Sequence, residues 1–135
     1  DCIRLARFTG ESRWTELADN IFRSFSNIAK RAPTGHAYML SAFMFDQKSP
    51  KEIVIVAKKG EPETARILRS IQDHYVPHRV ILFKNMSSPG TLEKVAPWTR
   101  SHTMRDGRPT IYVCENFACQ QPTTDINVAL GHMDR

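Results

Sequence analysis

Long apolar runs are missing from this sequence. No stretch approaches the roughly 18 consecutive apolar residues that a membrane-spanning helix needs, so no membrane segment is expected. Cysteine is scarce and odd in number, three in 135 residues, which argues against a disulfide scaffold and for a reducing, cytoplasmic setting. Charge of one sign is not concentrated either. The 19 basic and 14 acidic residues leave a net charge of +5, but they are scattered, with only short clusters such as Lys58-Lys59. Without a basic stripe or aromatic support, a nucleic acid partner is not expected. Also absent are G-x-G-x-x-G and G-x-x-x-x-G-K-[ST], which removes the specific nucleotide motifs. There is no C-x-x-C, no Ser/His/Asp arrangement and no pair of carboxylates at a defined spacing from which to argue catalysis. The chain opens at Asp1-Cys2-Ile3 with no initiator Met and no signal-like n- or h-region, and is expected to be a fragment of something longer.

What is present suits one compact domain, or two small layers sharing a core: 41% of the residues are hydrophobic and they are spread along the whole length. Trp14, Leu17, Ala18, Ile21, Phe22, Phe25, Ile28 and Ala29 recur at helical spacing and predict an amphipathic helix. Ser12 is its expected N-cap, Glu16 lies in its first turns, and Ala32-Pro33 closes it. Residues 2–8, ending at Thr9-Gly10, read as the tail of an earlier helix. Residues 37–45 are apolar on nearly every face, which predicts a helix covered all round by neighbours.

The pattern changes at Ser49-Pro50. Residues 53–57 form a continuous run rich in β-branched side chains, Gly60-Glu61-Pro62 opens a helix with Ala65, Ile67, Leu68, Ile71 and Tyr75 on one side, and residues 80–83 form a second buried-type strand. This is a βαβ unit with parallel strands. A short helix at 92–96 capped by Thr91, a third strand at 110–114 and a last helix capped by Thr124 or Asp125 complete the pattern. The expected fold class is α/β: a small three-stranded, mainly parallel sheet with flanking helices. Residues 101–105 offer a poorer extra strand, paired through Asp106-Gly107.

The segment YVCENFACQQPTTD at 112–125, with KEIVIVA at 51–57, resembles the C-terminal end of a family of long thioredoxin-domain-containing proteins, some named spermatogenesis-associated. LARFTG at 5–10, residues 14–30 and Met39-Leu40-Ser41-Ala42 resemble helices of that family's α/α-toroid, which is similar to six-hairpin glycosidases and the N-acylglucosamine 2-epimerase group. The resemblance implies that residues 1–48 are the closing helices of a toroid and 49–135 a C-terminal α/β module. It further implies that the remainder of a parent chain, toroid and thioredoxin-like domain, is the partner. The function it implies is a non-catalytic packing or contact role. Two alternatives follow from the same likeness: part of a carbohydrate-active enzyme with a small sugar ligand, and a thiol redox role with the thioredoxin-like domain.

Three residues are weak catalytic candidates. His36 begins the apolar helix, where by resemblance toroid loops face a sugar-binding cavity, although a capping or packing role is the plainer reading. Cys114 and Cys119 have four residues between them, at a strand end and in the loop beyond. Structural zinc wants four ligands and C-x4-C supplies two, so both cysteines are expected to be reduced, metal-free packing residues, and no cofactor is expected. His74 and His78 flank Pro77, which breaks the helix that metal binding at i and i+4 would need. The loops after the three strands should share the carboxyl edge of the sheet, where open α/β sheets bind ligands; Gly60, Lys58, Lys59 and Lys84 there would suit an anion.

Overall fold

The structure, a computed structural model, describes residues 1–134. The helical half comprises α1 (Cys2–Thr9), α2 (Ser12–Arg31), a 3-10 turn at Pro33–His36 and α3 (Ala37–Gln47). Helix α1 ends at Gly10, whose left-handed φ of 78° lets its N–H close the helix on the Ala6 carbonyl. A side chain there is disfavoured twice, because a Cβ would also lie 3.1 Å from Trp98 Cδ1, close enough that the ring would have to shift. Helix α2 starts one residue earlier than expected: Ser12 is its first residue and Glu11 occupies the N-cap position. Its end at Ala32, ahead of Pro33, is as the sequence predicts.

The α/β half runs β1 (Lys51–Ala57), α4 (Pro62–Asp73), β2 (Arg79–Asn85), α5 (Gly90–Val95), a 3-10 turn at Pro97–Ser101, β3 (Thr110–Glu115), β4 (Ala118–Cys119) and α6 (Ile126–Met133). The three expected strands do share one sheet, but it has four strands in the order β2-β1-β3-β4 and is mixed. Strands β1 and β2 pair in parallel around the α4 crossover, whereas β3 runs antiparallel to β1 and β4 antiparallel to β3. Residues 101–105 supply no strand; Arg105 makes a single bridge to Arg108 around the Asp106-Gly107 turn. Helix α5 follows Pro89 rather than a Thr91 cap, while Asp125 caps α6 as expected, its side chain accepting from the Asn127 N–H at 2.8 Å.

The antiparallel third strand overturns one expectation about function. The loops after β1 and β2 emerge at the same edge, where the Lys59 N–H donates to Asn85 Oδ1. The turn after β3 emerges at the opposite edge, because Glu115 pairs with Lys51 at the start of β1. The carboxyl-edge site drawn from three parallel strands is therefore split in two.

One face of the sheet, Ile53, Ile55, Ile111 and Val113, is covered by Ile67 and Ile71 of α4 and by Ala129 and Met133 of α6. Ala65 and Tyr75, expected on that side of α4, are exposed. The other face, Val54, Val56 and Leu82, is covered by Leu92, Ala96, Trp98 and Met104, with Phe8 of α1. That second cover was expected from α2 and α3. Those helices instead contribute to a separate cluster in which Ile3, Ala18 and Phe45 pack with Phe22, Ala42 and Val80. The expected all-round burial of α3 is not met within this chain: Phe45 is buried, but Phe43 and Met44 are exposed and Tyr38 is 96% exposed. Among the described residues no helix is long and apolar enough to cross a membrane.

Candidate functional site

Strands β3 and β4 form a tight hairpin whose closing pair is Glu115 and Ala118. The two residues between them, Asn116 and Phe117, have φ of 51° and 63°, the double left-handed geometry of a type I′ turn. Asn tolerates that region and Phe does not, so the turn needs outside support. Next along the hairpin, Cys114 faces Cys119, and the Gln120 N–H donates to the Val113 carbonyl at 2.9 Å beyond them. The cysteines thus occupy the non-hydrogen-bonded position of the ladder, where facing strands come closest. Their Cα atoms are 3.8 Å apart and their sulfurs are joined in a disulfide. This corrects the expectation of two reduced thiols. The reason is a hairpin too short to show in the apolar pattern: residues read as loop fold straight back onto β3 and carry Cys119 against Cys114. Cys2 is the free cysteine.

The two sulfurs differ in access, since Cys114 is buried and Cys119 exposed. Beside them His102 presents Nε2 at 3.4 Å from Cys119 Sγ. The imidazole is itself buried and is boxed by aromatic rings, with the Trp98 centroid at 5.5 Å and the Tyr112 centroid at 4.3 Å. Burial pushes its pKa below the ordinary histidine value, the positive charge of Lys84 adds to the effect, and the Thr99 backbone opposes it. A neutral ring at neutral pH follows.

Lys84 explains how His102 is positioned. It sits in β2 with its ammonium buried, donating to the carbonyls of Thr99 at 2.8 Å and His102 at 2.9 Å and pairing with Glu93 at 2.7 Å. The ammonium therefore ties the 3-10 turn and His102 to the sheet, and is not the free cation expected for an anion site.

The turn's support comes from Glu52. Its side chain has no exposed surface, and its Oε2 accepts from the Phe117 N–H at 3.2 Å. Its Oε1 accepts from Arg7 at 3.3 Å, and the same guanidinium donates to Asn116 Oδ1. The Phe117 ring meets Trp98 edge-on at 5.1 Å, and Trp98 Nε1 donates to the Phe8 carbonyl at 3.0 Å. Helix α1 is thereby bonded to the cystine hairpin through one charged and one aromatic link.

The remaining sequence candidates do not converge on this site. His36 bonds through Nδ1 with the Ala32 carbonyl at 3.0 Å, within its own 3-10 turn. His74 pairs with Asp134 at 2.7 Å and His78 stacks edge-on to Phe45 at 5.8 Å. Gly60 takes φ of 92°, a turn requirement that accounts for it. His102, Glu52 and Arg7 were not proposed as site residues from the sequence, and Lys84 was proposed only as a charge for an anion site. A lysine and a glutamate inside buried-type strands are a readable signal, since buried charges need dedicated partners.

No family model matches this chain, and no solved structure matches it. The chain is 28% identical over 123 residues to spermatogenesis-associated protein 20 of Homo sapiens and to that of Mus musculus, and 27% identical to that of Rattus norvegicus. In each case the match covers 91% of this chain and spans only 16% of the relative's length. The similarity is to the C-terminal region of those proteins.

Proposed function

We propose that this chain serves as the C-terminal part of a longer multidomain protein, with residues 1–48 packing against preceding helices of a toroid and residues 49–135 forming a docked α/β module. The observation that carries this reading is the face left open on α2. Leu17, Ile21, Phe25 and Ile28 follow one another at helical spacing, and all four are between 40% and 52% exposed. On α3, Phe43 and Met44 are also exposed. Apolar stripes of this kind are covered in a finished assembly. The small share of each relative that the chain spans supports the rest of the parent as the occupant. The test is to express the preceding part of the parent separately and mix it with this chain. Binding that is abolished by Phe25→Asp with Ile28→Asp, while the circular dichroism of the chain is unchanged, is the expected result. A monomeric chain that ignores the preceding part would overturn the reading.

A second reading, thiol–disulfide exchange, is favoured by the cystine itself. An external dithiol, of the kind a thioredoxin-like domain carries, attacks the exposed Cys119 sulfur. The Cys114–Cys119 bond breaks and its electron pair leaves on Cys114, which takes a proton. The donor's second thiol then attacks the mixed disulfide, releasing Cys119 and leaving the donor oxidised. Two electrons and two protons pass to the hairpin. Incubation with reduced thioredoxin followed by thiol counting should raise the free thiols from one to three per chain. A count that stays at one while the fold is intact would sink this reading. His36, the residue expected near a sugar, bonds through Nδ1 with the Ala32 carbonyl, which matches the capping role weighed beside that expectation.

A further inference from the structure

We propose that the reduced hairpin is a metal site, in which Cys114, Cys119 and His102 bind one zinc-like divalent ion with a fourth position open to solvent. The inference rests on the thiol–disulfide reading, because the disulfide has to open first. Its basis is a juxtaposition that the sequence hides: His102, twelve residues before Cys114 in the chain, meets both sulfurs, and the three ligand atoms lie within 4.8 Å of one another.

The geometry suits a tetrahedral ion. Zinc holds sulfur at about 2.3 Å and imidazole nitrogen at about 2.0 Å, so a nitrogen and a sulfur on one ion stand about 3.5 Å apart. His102 Nε2 is already 3.4 Å from Cys119 Sγ. The two sulfurs must separate to about 3.8 Å, and cutting their bond frees both to rotate, which also lets Cys114 adjust its distance from Nε2. Burial on one side and exposure on the other decide the type of site. Cys114 and His102 are buried whereas Cys119 faces solvent, so a water completes the set from outside. Three protein ligands plus one open position is the arrangement of exchangeable or reactive zinc, not of closed structural zinc.

Charge and orientation favour the same assignment. Two thiolates neutralise a divalent ion, so no net charge is buried. The ring is held by Trp98, Tyr112 and the Lys84 bond to the His102 carbonyl, which fixes the imidazole before the metal arrives. Ligation through Nε2 places the ring proton on Nδ1, which is buried with no hydrogen-bond partner, a cost that the metal bonds must offset. Binding balances as one divalent ion taken up and two thiol protons released. The disulfide form of the same external dithiol, taking two electrons in the reverse of that exchange, removes both thiolates and expels the metal, so oxidised and metal-bound hairpins are alternatives.

The experiment uses the purified chain carrying Cys2→Ser, so that only the paired thiols are read. It is reduced with a phosphine, freed of metal, and titrated with Co2+ and Zn2+. The expected result is one ion per reduced chain, with thiolate-to-cobalt charge-transfer absorption and the visible bands of tetrahedral cobalt. The oxidised chain should bind none. His102→Phe, which keeps an aromatic ring in the box, should weaken zinc binding by more than the 10–100-fold typical of losing an outer partner. Two free thiols with no metal bound, or binding unchanged in His102→Phe, would overturn the metal site and leave the exchange reading standing. Thiols that never appear in the folded chain would remove the exchange reading and the metal site together.

Discussion

Arg7 Nη1 lies 3.3 Å from Glu52 Oε1, joining the end of α1 to the first strand of the sheet where the carboxylate has no exposed surface. The pair spans 45 residues of sequence and, through Glu52 Oε2 and Asn116 Oδ1, also fastens both residues of the hairpin turn. Removing Arg7 leaves a buried carboxylate with one N–H for company. Arg7→Ala should therefore cost on the order of 3 kcal/mol, read by urea denaturation, and Glu52→Gln should cost less because no charge remains to be solvated. Equal losses in the two variants would show that the ion pair is not what the turn depends on.

Glu52 also sets a pH dependence. Burial raises its pKa above the ordinary carboxyl value, against the Phe117 N–H and Arg7, which lower it. A carboxyl whose folded pKa exceeds its unfolded one binds protons more readily when folded. Its contribution is fully present below the unfolded pKa and is lost as pH rises through the folded pKa. Stability of the natural chain relative to Glu52→Gln should accordingly improve as pH falls from neutral toward the ordinary carboxyl range. Parallel stability curves for the two proteins would contradict this assignment.

The cystine predicts its own decrement. Closing so short a loop removes roughly 2 kcal/mol of unfolded-state entropy, so Cys119→Ser should lower the unfolding free energy by about that much in a Cys2→Ser background. Reduction of the same background protein should produce a similar loss. Alkylation under native, non-reducing conditions should label Cys2 alone in the natural chain, since Cys114 and Cys119 are paired. Three labels would refute the pairing.

How much of this was legible in the sequence follows from what each pattern reports. Ile53, Ile55 and Ile111 announced their strands because burial on both faces demands unbroken apolar runs, and Pro62 and Asp125 marked helix starts by local chemistry. Pairing direction is a tertiary property. Nothing in residues 110–114 distinguishes a parallel strand from an antiparallel one, and the loop edges followed that choice. The two-residue turn at Asn116-Phe117 was equally hidden, since a type I′ turn ordinarily advertises itself with Asn-Gly, and here Phe117 is held there by Glu52 and Trp98. With the hairpin unseen, the disulfide and its approach to His102 could not be drawn. The exposed stripe on α2 shows the converse: its periodicity marks the helix, but no such pattern names what covers the apolar face, and none of the described residues buries it.

Lys84 gives the sharpest test of how the site is held. Its ammonium is buried in β2 and donates to the Thr99 and His102 carbonyls, so Lys84→Met fills the same space while stranding two buried acceptors. Each unsatisfied group costs about 1–3 kcal/mol, so the variant should lose about 2–6 kcal/mol in urea denaturation. Glu93, 27% exposed, can turn to water and adds little. The loss should be local in its structural effect, because the Ile53 and Ile55 face of the sheet is packed independently by α4 and α6. Amide exchange should therefore rise in residues 97–104 and in the β3–β4 hairpin that leans on His102, while β1 and α4 keep their protection. Uniform loss of protection across the sheet would show that Lys84 supports the whole fold and not the wall of the cystine site.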